Sequence, residues 1–102
     1  MYFLEFSGVH RLEKNLYTAR QAVLLGLLRS VRKDADIRQE DVAKVLERPQ
    51  SFVSKYESGE RRLDILELYD VCKALNTSLT CFAAQLENSL GDESKGREDK
   101  VD

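Results

Sequence analysis

The residue that most limits how this chain can fold is Pro49, its only proline. It follows Val42, Ala43, Val45 and Leu46, an apolar stripe at helical spacing. A proline inside a helix removes one backbone hydrogen bond and clashes one turn back, so a helix carrying that stripe must end near Leu46 or Glu47. At the first turn of a new helix the missing N–H is no loss. The pattern therefore predicts one short helix before the proline and a second from Pro49 or Gln50 to Glu57. Ser58-Gly59 ends the second, with Gly59 supplying the left-handed backbone a helix exit favours. Val53 and Tyr56, three apart, face inward, and Gln50, Ser51, Ser54 and Lys55 are left outside.

Two short helices joined by a tight turn, the second with small polar and cationic side chains outward, have the layout of a DNA-reading helix-turn-helix. The stretch Arg38 to Arg62 also resembles the helix-turn-helix of the Cro and phage-repressor (xenobiotic-response-element) family of small prokaryotic regulators. The matching positions are Gln39, Val42-Ala43 and the run Gln50-Ser51-x-Val53-Ser54-Lys55-Tyr56-Glu57-x-Gly59-Glu60-Arg61. Outward, the resemblance covers Leu24 to Leu86, with Leu28-Arg29 and Val31-Arg32 before the motif and Leu75-Asn76-Thr77-Ser78-Leu79 after it. It implies an all-α, five-helix lambda-repressor-like DNA-binding domain and a transcriptional regulator, a repressor by family habit. It further implies that Arg32 forms a forked, partly buried pair with Glu57, the alternative being two solvated surface charges. The chain departs from the family at both helix caps. Arg38 and Pro49 stand where Thr or Ser is usual, each lost cap costing about 1 kcal/mol, and Arg38 is then available for a phosphate.

In a major groove, Gln50 can bond an adenine edge and Lys55 can reach guanine. Ser51 and Ser54 suit bases or phosphates, and Phe52 can cover a thymine methyl. The rival duty of Phe52 is packing against the end of the preceding helix. Gln39, at a positive helix start, together with Arg38, Arg61 and Arg62, is expected on phosphates. For each of these the plain alternative is a solvated helix face.

Net charge bounds how strongly the chain can hold DNA. The 102 residues carry a formal charge of −2, and residues 1–90 hold thirteen acids and thirteen bases. Attraction must come from local placement of Arg38, Arg48, Lys55, Arg61 and Arg62, weakened by Glu40, Asp41, Glu47 and Glu60. Cys72, Cys81 and the single His10 make no zinc spacing. Both cysteines are expected as buried reduced thiols, with a redox switch as the alternative. No catalytic set, phosphate-cradling glycine loop or cofactor motif is present, so an enzyme is not expected and no cofactor or metal is called for. No apolar run approaches the ~18–20 residues of a membrane span, and the expected location is the cytoplasm. A protein-interaction module on the same frame, such as an antitoxin or the partner of an anti-repressor, stays open because the charge is so balanced.

One domain is expected over 18–90, with an N-terminal extension over 1–17 and a disordered charged tail over 91–102, where twelve residues hold one apolar side chain. Tyr2, Leu4 and Phe6 alternate as a short strand would, although a poorly ordered extension is preferred. Helix one is expected to begin at Thr18, where Thr18 to Gln21 has capping-box spacing. Its inward stripe is Leu24, Leu27, Leu28 and Val31, Arg20, Arg29 and Lys33 stay wet, and Gly26 marks close helix packing. Asp64 caps helix four, whose inward residues are Ile65, Leu68, Tyr69, Cys72 and Leu75; Asn76 takes the left-handed exit and Ser78 caps helix five. Leu79, Phe82, Leu86 and Leu90 then form a stripe expected to build a homodimer on a near-palindromic double-stranded operator.

Overall fold

A computed structural model of the chain describes the backbone of residues 7–101 and the side chains of residues 18–91. Five helices follow one another: α1 (Ser7–Asp34), α2 (Gln39–Leu46), α3 (Gln50–Ser58), α4 (Ile65–Ala74) and α5 (Leu79–Val101). The strand expected around Tyr2 to Phe6 lies outside the described residues.

Three helices stop in the same way, although the left-handed exit was expected only at Asn76. Asp36, Glu47 and Asn76 all adopt left-handed backbone, with φ of 62°, 57° and 63°. In each, the N–H one residue further on reaches back five positions: Ile37 to the Arg32 carbonyl at 3.1 Å, Arg48 to Ala43 at 2.9 Å, and Thr77 to Cys72 at 3.0 Å. These bonds satisfy carbonyls that a helix end leaves open. Glycine holds the position only after α3, where Gly59 has φ of 90°. A Cβ there would sit 3.3 Å from Leu25, so this backbone also packs closely on α1.

Helix starts are equally local. Asp64 accepts the Glu67 N–H at 2.7 Å while Glu67 accepts the Asp64 N–H at 3.0 Å, and Ser78 Oγ accepts the Cys81 N–H at 3.0 Å. Arg38 brings no acceptor to the start of α2, but Asp41 accepts its backbone N–H at 3.1 Å. Thr18 caps nothing, because α1 begins eleven residues earlier, at Ser7. Its four-residue pattern occurs inside a continuous helix, where the backbone N–H groups are already bonded. At the other end, the backbone of α5 stays helical to Val101, past the Leu90 where the composition predicts loss of order. Extending an existing helix fixes one residue per bond and needs no new nucleus.

The core lies where α1, α2, α3, α4 and α5 meet, around Leu28, Val42, Val53, Tyr56, Val71, Leu75 and Phe82. Several expected core positions lie outside it. Val45, Ile65 and Tyr69 are exposed, as is Leu66, the most open at 72%. Leu68, Val71 and Cys72 of α4, with Leu75 just after it, face inward; Tyr69 falls at the edge of that arc, and Ile65 shares it but stands at the first residue of the helix, where it is exposed. Cys72 is buried as expected, whereas Cys81 is exposed. An added Cβ at Gly26 meets nothing within 4 Å, so that glycine marks no close packing. Among the described residues, no helix is long and apolar enough to cross a membrane.

Candidate nucleic-acid interface

α3 divides cleanly by exposure. Gln50, Ser51, Ser54 and Lys55 are exposed, while Phe52, Val53, Tyr56 and Glu57 are buried. With 3.6 residues per turn, positions 52, 53, 56 and 57 form one arc and 50, 51, 54 and 55 the opposite one. Lys55 has no ion pair among the described residues, so its ammonium is not spent on a carboxylate.

Phe52, expected over a thymine methyl, therefore does not belong to the exposed arc. Only 7% of it is exposed, and it meets Tyr56 edge-on with ring centroids 5.6 Å apart. Burial of a ring this size is worth roughly 1.5–3 kcal/mol, which decides its orientation against any groove contact. Tyr56, next to it, is buried with its hydroxyl unpartnered among the described residues. Desolvation is the main reason its phenol is held well above the ordinary range, with the Glu57 carboxylate adding to it.

A chain of hydrogen bonds runs from the core to the exposed arc of α3. Arg32 donates from Nε to Glu57 Oε2 at 2.6 Å and from Nη2 to Oε1 at 3.1 Å, a forked pair between two buried side chains. Its Nη1 donates to the Ile37 carbonyl at 2.9 Å, which ties the end of α1 to the same pair. Gln39 Nε2 donates to Glu57 Oε1 at 2.9 Å, and Gln50 Nε2 donates to Gln39 Oε1 at 3.3 Å. Gln39, expected on a phosphate, thus bridges the ion pair and the first residue of α3. Arg29, expected to stay wet, donates from Nη2 to the Glu57 carbonyl at 2.9 Å. It satisfies a carbonyl near the C-terminus of α3 and places a cation where the helix dipole favours one.

Around the turn sits a second cluster that the sequence reading did not assemble. Arg61 forks onto Glu67, Nη1 to Oε1 at 3.0 Å and Nη2 to Oε2 at 2.8 Å, and Nη1 also donates to the Arg62 carbonyl at 2.9 Å. Arg48 Nη2 lies 3.6 Å from the same Oε2. Both guanidinium groups sit against the Phe52 ring, 4.3 Å from its centroid for Arg48 and 4.7 Å for Arg61. Arg61 hydrogen bonding and the Asp64 N–H hold the Glu67 carboxyl down at about 2. Arg38, by contrast, is an exposed cation paired at the surface with Glu40 at 3.0 Å and Asp41 at 3.4 Å.

The dimer stripe expected on α5 is split. Phe82 is 1% exposed and belongs to the core, so it cannot face a second copy. Leu79 packs against that core from its edge, and Leu86 and Leu90 are half-buried.

A short helix pinned at both ends, with an exposed polar arc and flanking arginines, defines a DNA-binding helix-turn-helix domain. Comparison with known proteins gives the family: the helix-turn-helix family model matches residues 28–80. The chain belongs to the XRE-type helix-turn-helix family of DNA-binding transcriptional regulators, which is not an enzyme class. Among solved structures it is similar to an XRE-family like protein from Pseudomonas syringae pv. tomato str. DC3000. Identity there is 43%, the match covers 76% of this chain and 94% of that one, and the TM-score is 0.70. The fold is shared by the wild-type restriction-modification controller protein C.Esp1396I, at 22% identity, 70% and 92% coverage and a TM-score of 0.64. A point mutant of that controller aligns at 24% identity over 70% and 90% of the two chains, also with a TM-score of 0.64. No curated protein matches the chain.

Proposed function

We propose that this regulator reads operator DNA with α3 in the major groove and acts as a repressor. Gln50, Ser51, Ser54 and Lys55 are its base-reading residues, and Arg38 and Arg62 contact the backbone. The observation that carries the reading is the Arg32, Glu57, Gln39 and Gln50 chain, in which three of four members exist to hold the fourth at the surface. A bidentate amide must meet an adenine edge within tenths of an ångström, and a pre-placed Gln50 loses less entropy on doing so. At Arg38 the carboxylates of Glu40 and Asp41 are surface partners, and a phosphate can exchange for them at little cost.

Selection of bound sequences from a random DNA pool tests this directly. Gln50→Ala is expected to cost ~1–3 kcal/mol at one base pair and to leave the other positions of the site alone. An unchanged site preference rules out Gln50 as a base reader.

A homodimer through the outward side of α5, near Leu86 and Leu90, would place two copies of α3 about one DNA turn apart, ~34 Å. Sedimentation equilibrium of the free chain decides between monomer and dimer. The reading as a protein-interaction module draws on one observation, the exposed apolar residues Ile65, Leu66 and Tyr69 of α4. DNA retardation that vanishes with salt and never yields a footprint favours that reading over the first.

A further inference from the structure

We infer that Arg48, in the turn before α3, is a further backbone-contacting residue, and that Arg61 is a positioning residue held away from the duplex. The inference rests on the DNA reading above and assigns which cation of the Phe52 cluster meets a phosphate.

The two arginines share a ring and a carboxylate but are bonded very differently. Arg61 commits three N–H groups, two to Glu67 and one to the Arg62 carbonyl. Glu67 cannot follow it outward, because Glu67 Oε1 also accepts the Asp64 N–H that starts α4. Leaving Glu67 would cost Arg61 a bidentate, charge-assisted pair, the strongest kind a guanidinium makes. Arg48 has only a 3.6 Å approach to Oε2, too long for a hydrogen bond, and its side chain is 44% exposed. Among the described residues none of its five N–H groups has a hydrogen-bond acceptor.

What holds Arg48 instead is a cation–π contact. Its guanidinium carbon lies 4.3 Å from the Phe52 centroid. A ring face attracts the cation without consuming its in-plane donors. Those donors stay available to an oxygen anion approaching in the guanidinium plane, the geometry in which arginine takes phosphate. Position completes the argument, since Arg48 lies two residues before Gln50. A base-reading side chain and a backbone-reading one then leave the same turn, and the second sets the register of the first. Phe52 gains a role in binding without touching DNA, as the platform under Arg48.

The test measures binding of the full chain to a random-sequence duplex and to a duplex recovered by selection, over a range of salt concentrations. Arg48→Ala is expected to weaken both duplexes by a similar factor, roughly tenfold, and to make the slope of log K against log salt shallower by about one. Arg48→Lys keeps the charge and is expected to keep the slope while losing part of the affinity. Arg61→Ala is expected to leave the slope as in the wild type. Thermal melts establish that each variant is folded at the binding temperature, and Arg48→Gln replaces the alanine variant should that one melt early. A folded Arg48→Ala or Arg48→Gln chain with the wild-type slope overturns the inference, as does an Arg61→Ala chain that loses it. Should the wild-type chain bind neither duplex, the DNA reading and this assignment fail together; should it bind both and Arg48 prove indifferent, only this assignment fails.

Discussion

Two arginine–carboxylate forks flank α3, and the contrast between them shows what burial does to the same chemistry. Arg32 and Glu57 sit inside, with Glu57 receiving Arg32 twice and Gln39 once. Arg61 and Glu67 form a fork of similar length at the surface, where water reaches the arginine. A buried ion pair is tolerated only when its remaining donors and acceptors are satisfied, and removing one partner strands a charge in a low dielectric. At the surface the stranded charge is simply hydrated. The inner fork therefore fixes the position of α3, while the outer one adjusts which cations are available beside it.

The strongest way to break this contrast is to remove the inner carboxylate. Glu57→Gln is expected to cost about 3–5 kcal/mol of unfolding free energy, measured by urea denaturation, because Arg32 is left buried and unpaired. A loss no larger than that of Glu67→Gln would erase the distinction between the two forks.

A smaller effect sharpens it. Tyr56 stands beside Glu57 in the same interior, and its hydroxyl has no partner among the described residues. Tyr56→Phe removes a desolvated group without breaking a bond, and is expected to raise stability by about 1 kcal/mol. A destabilised Phe variant would show that the hydroxyl is satisfied in solution and belongs to the inner network.

The smallest effect concerns acid. The carboxyl of Glu67 is lowered from 4.5 to about 2 in the folded chain. A group depressed on folding contributes stability above its unfolded value and loses it as pH falls, here from about 4.5 toward 2. Thermal melts are expected to show the wild type ahead of Glu67→Gln at neutral pH, to fall more steeply for the wild type through that window, and to converge toward its acid end. Parallel curves would mean that the outer fork does not contribute to folding.

Much of this arrangement was legible because it is local. Pro49 placed the turn, Gly59 and Asn76 placed two helix ends, and Asp64 and Ser78 placed two starts, each through a rule that operates within four residues. The left-handed backbone at Glu47 gave no such sign, since glutamate is not a usual left-handed residue; Asp36 is of a type that, like asparagine, can enter that region, but nothing beside it singled it out. Phe52 was readable in principle: it lies four residues before Tyr56, the spacing that puts two side chains on one face. Pairing Val53 with Tyr56 and stopping there assigned the ring to the wrong side. The role of Gln39 could not be read from spacing, because it depends on Glu57, eighteen residues away. Arg48, Arg61 and Glu67 likewise converge on one ring only after α3 and α4 have packed.

The division of α3 into a buried arc and an exposed one also bears on how such a regulator can change over generations. Ser51, Ser54 and Lys55 contribute nothing to the interior, whereas their neighbours Val53, Tyr56 and Glu57 cannot vary without disturbing it. Under the proposed reading, a duplicated copy can drift at the first three positions, acquire a new preferred operator and still mature normally. Vocabulary and grammar are inherited separately within one nine-residue helix.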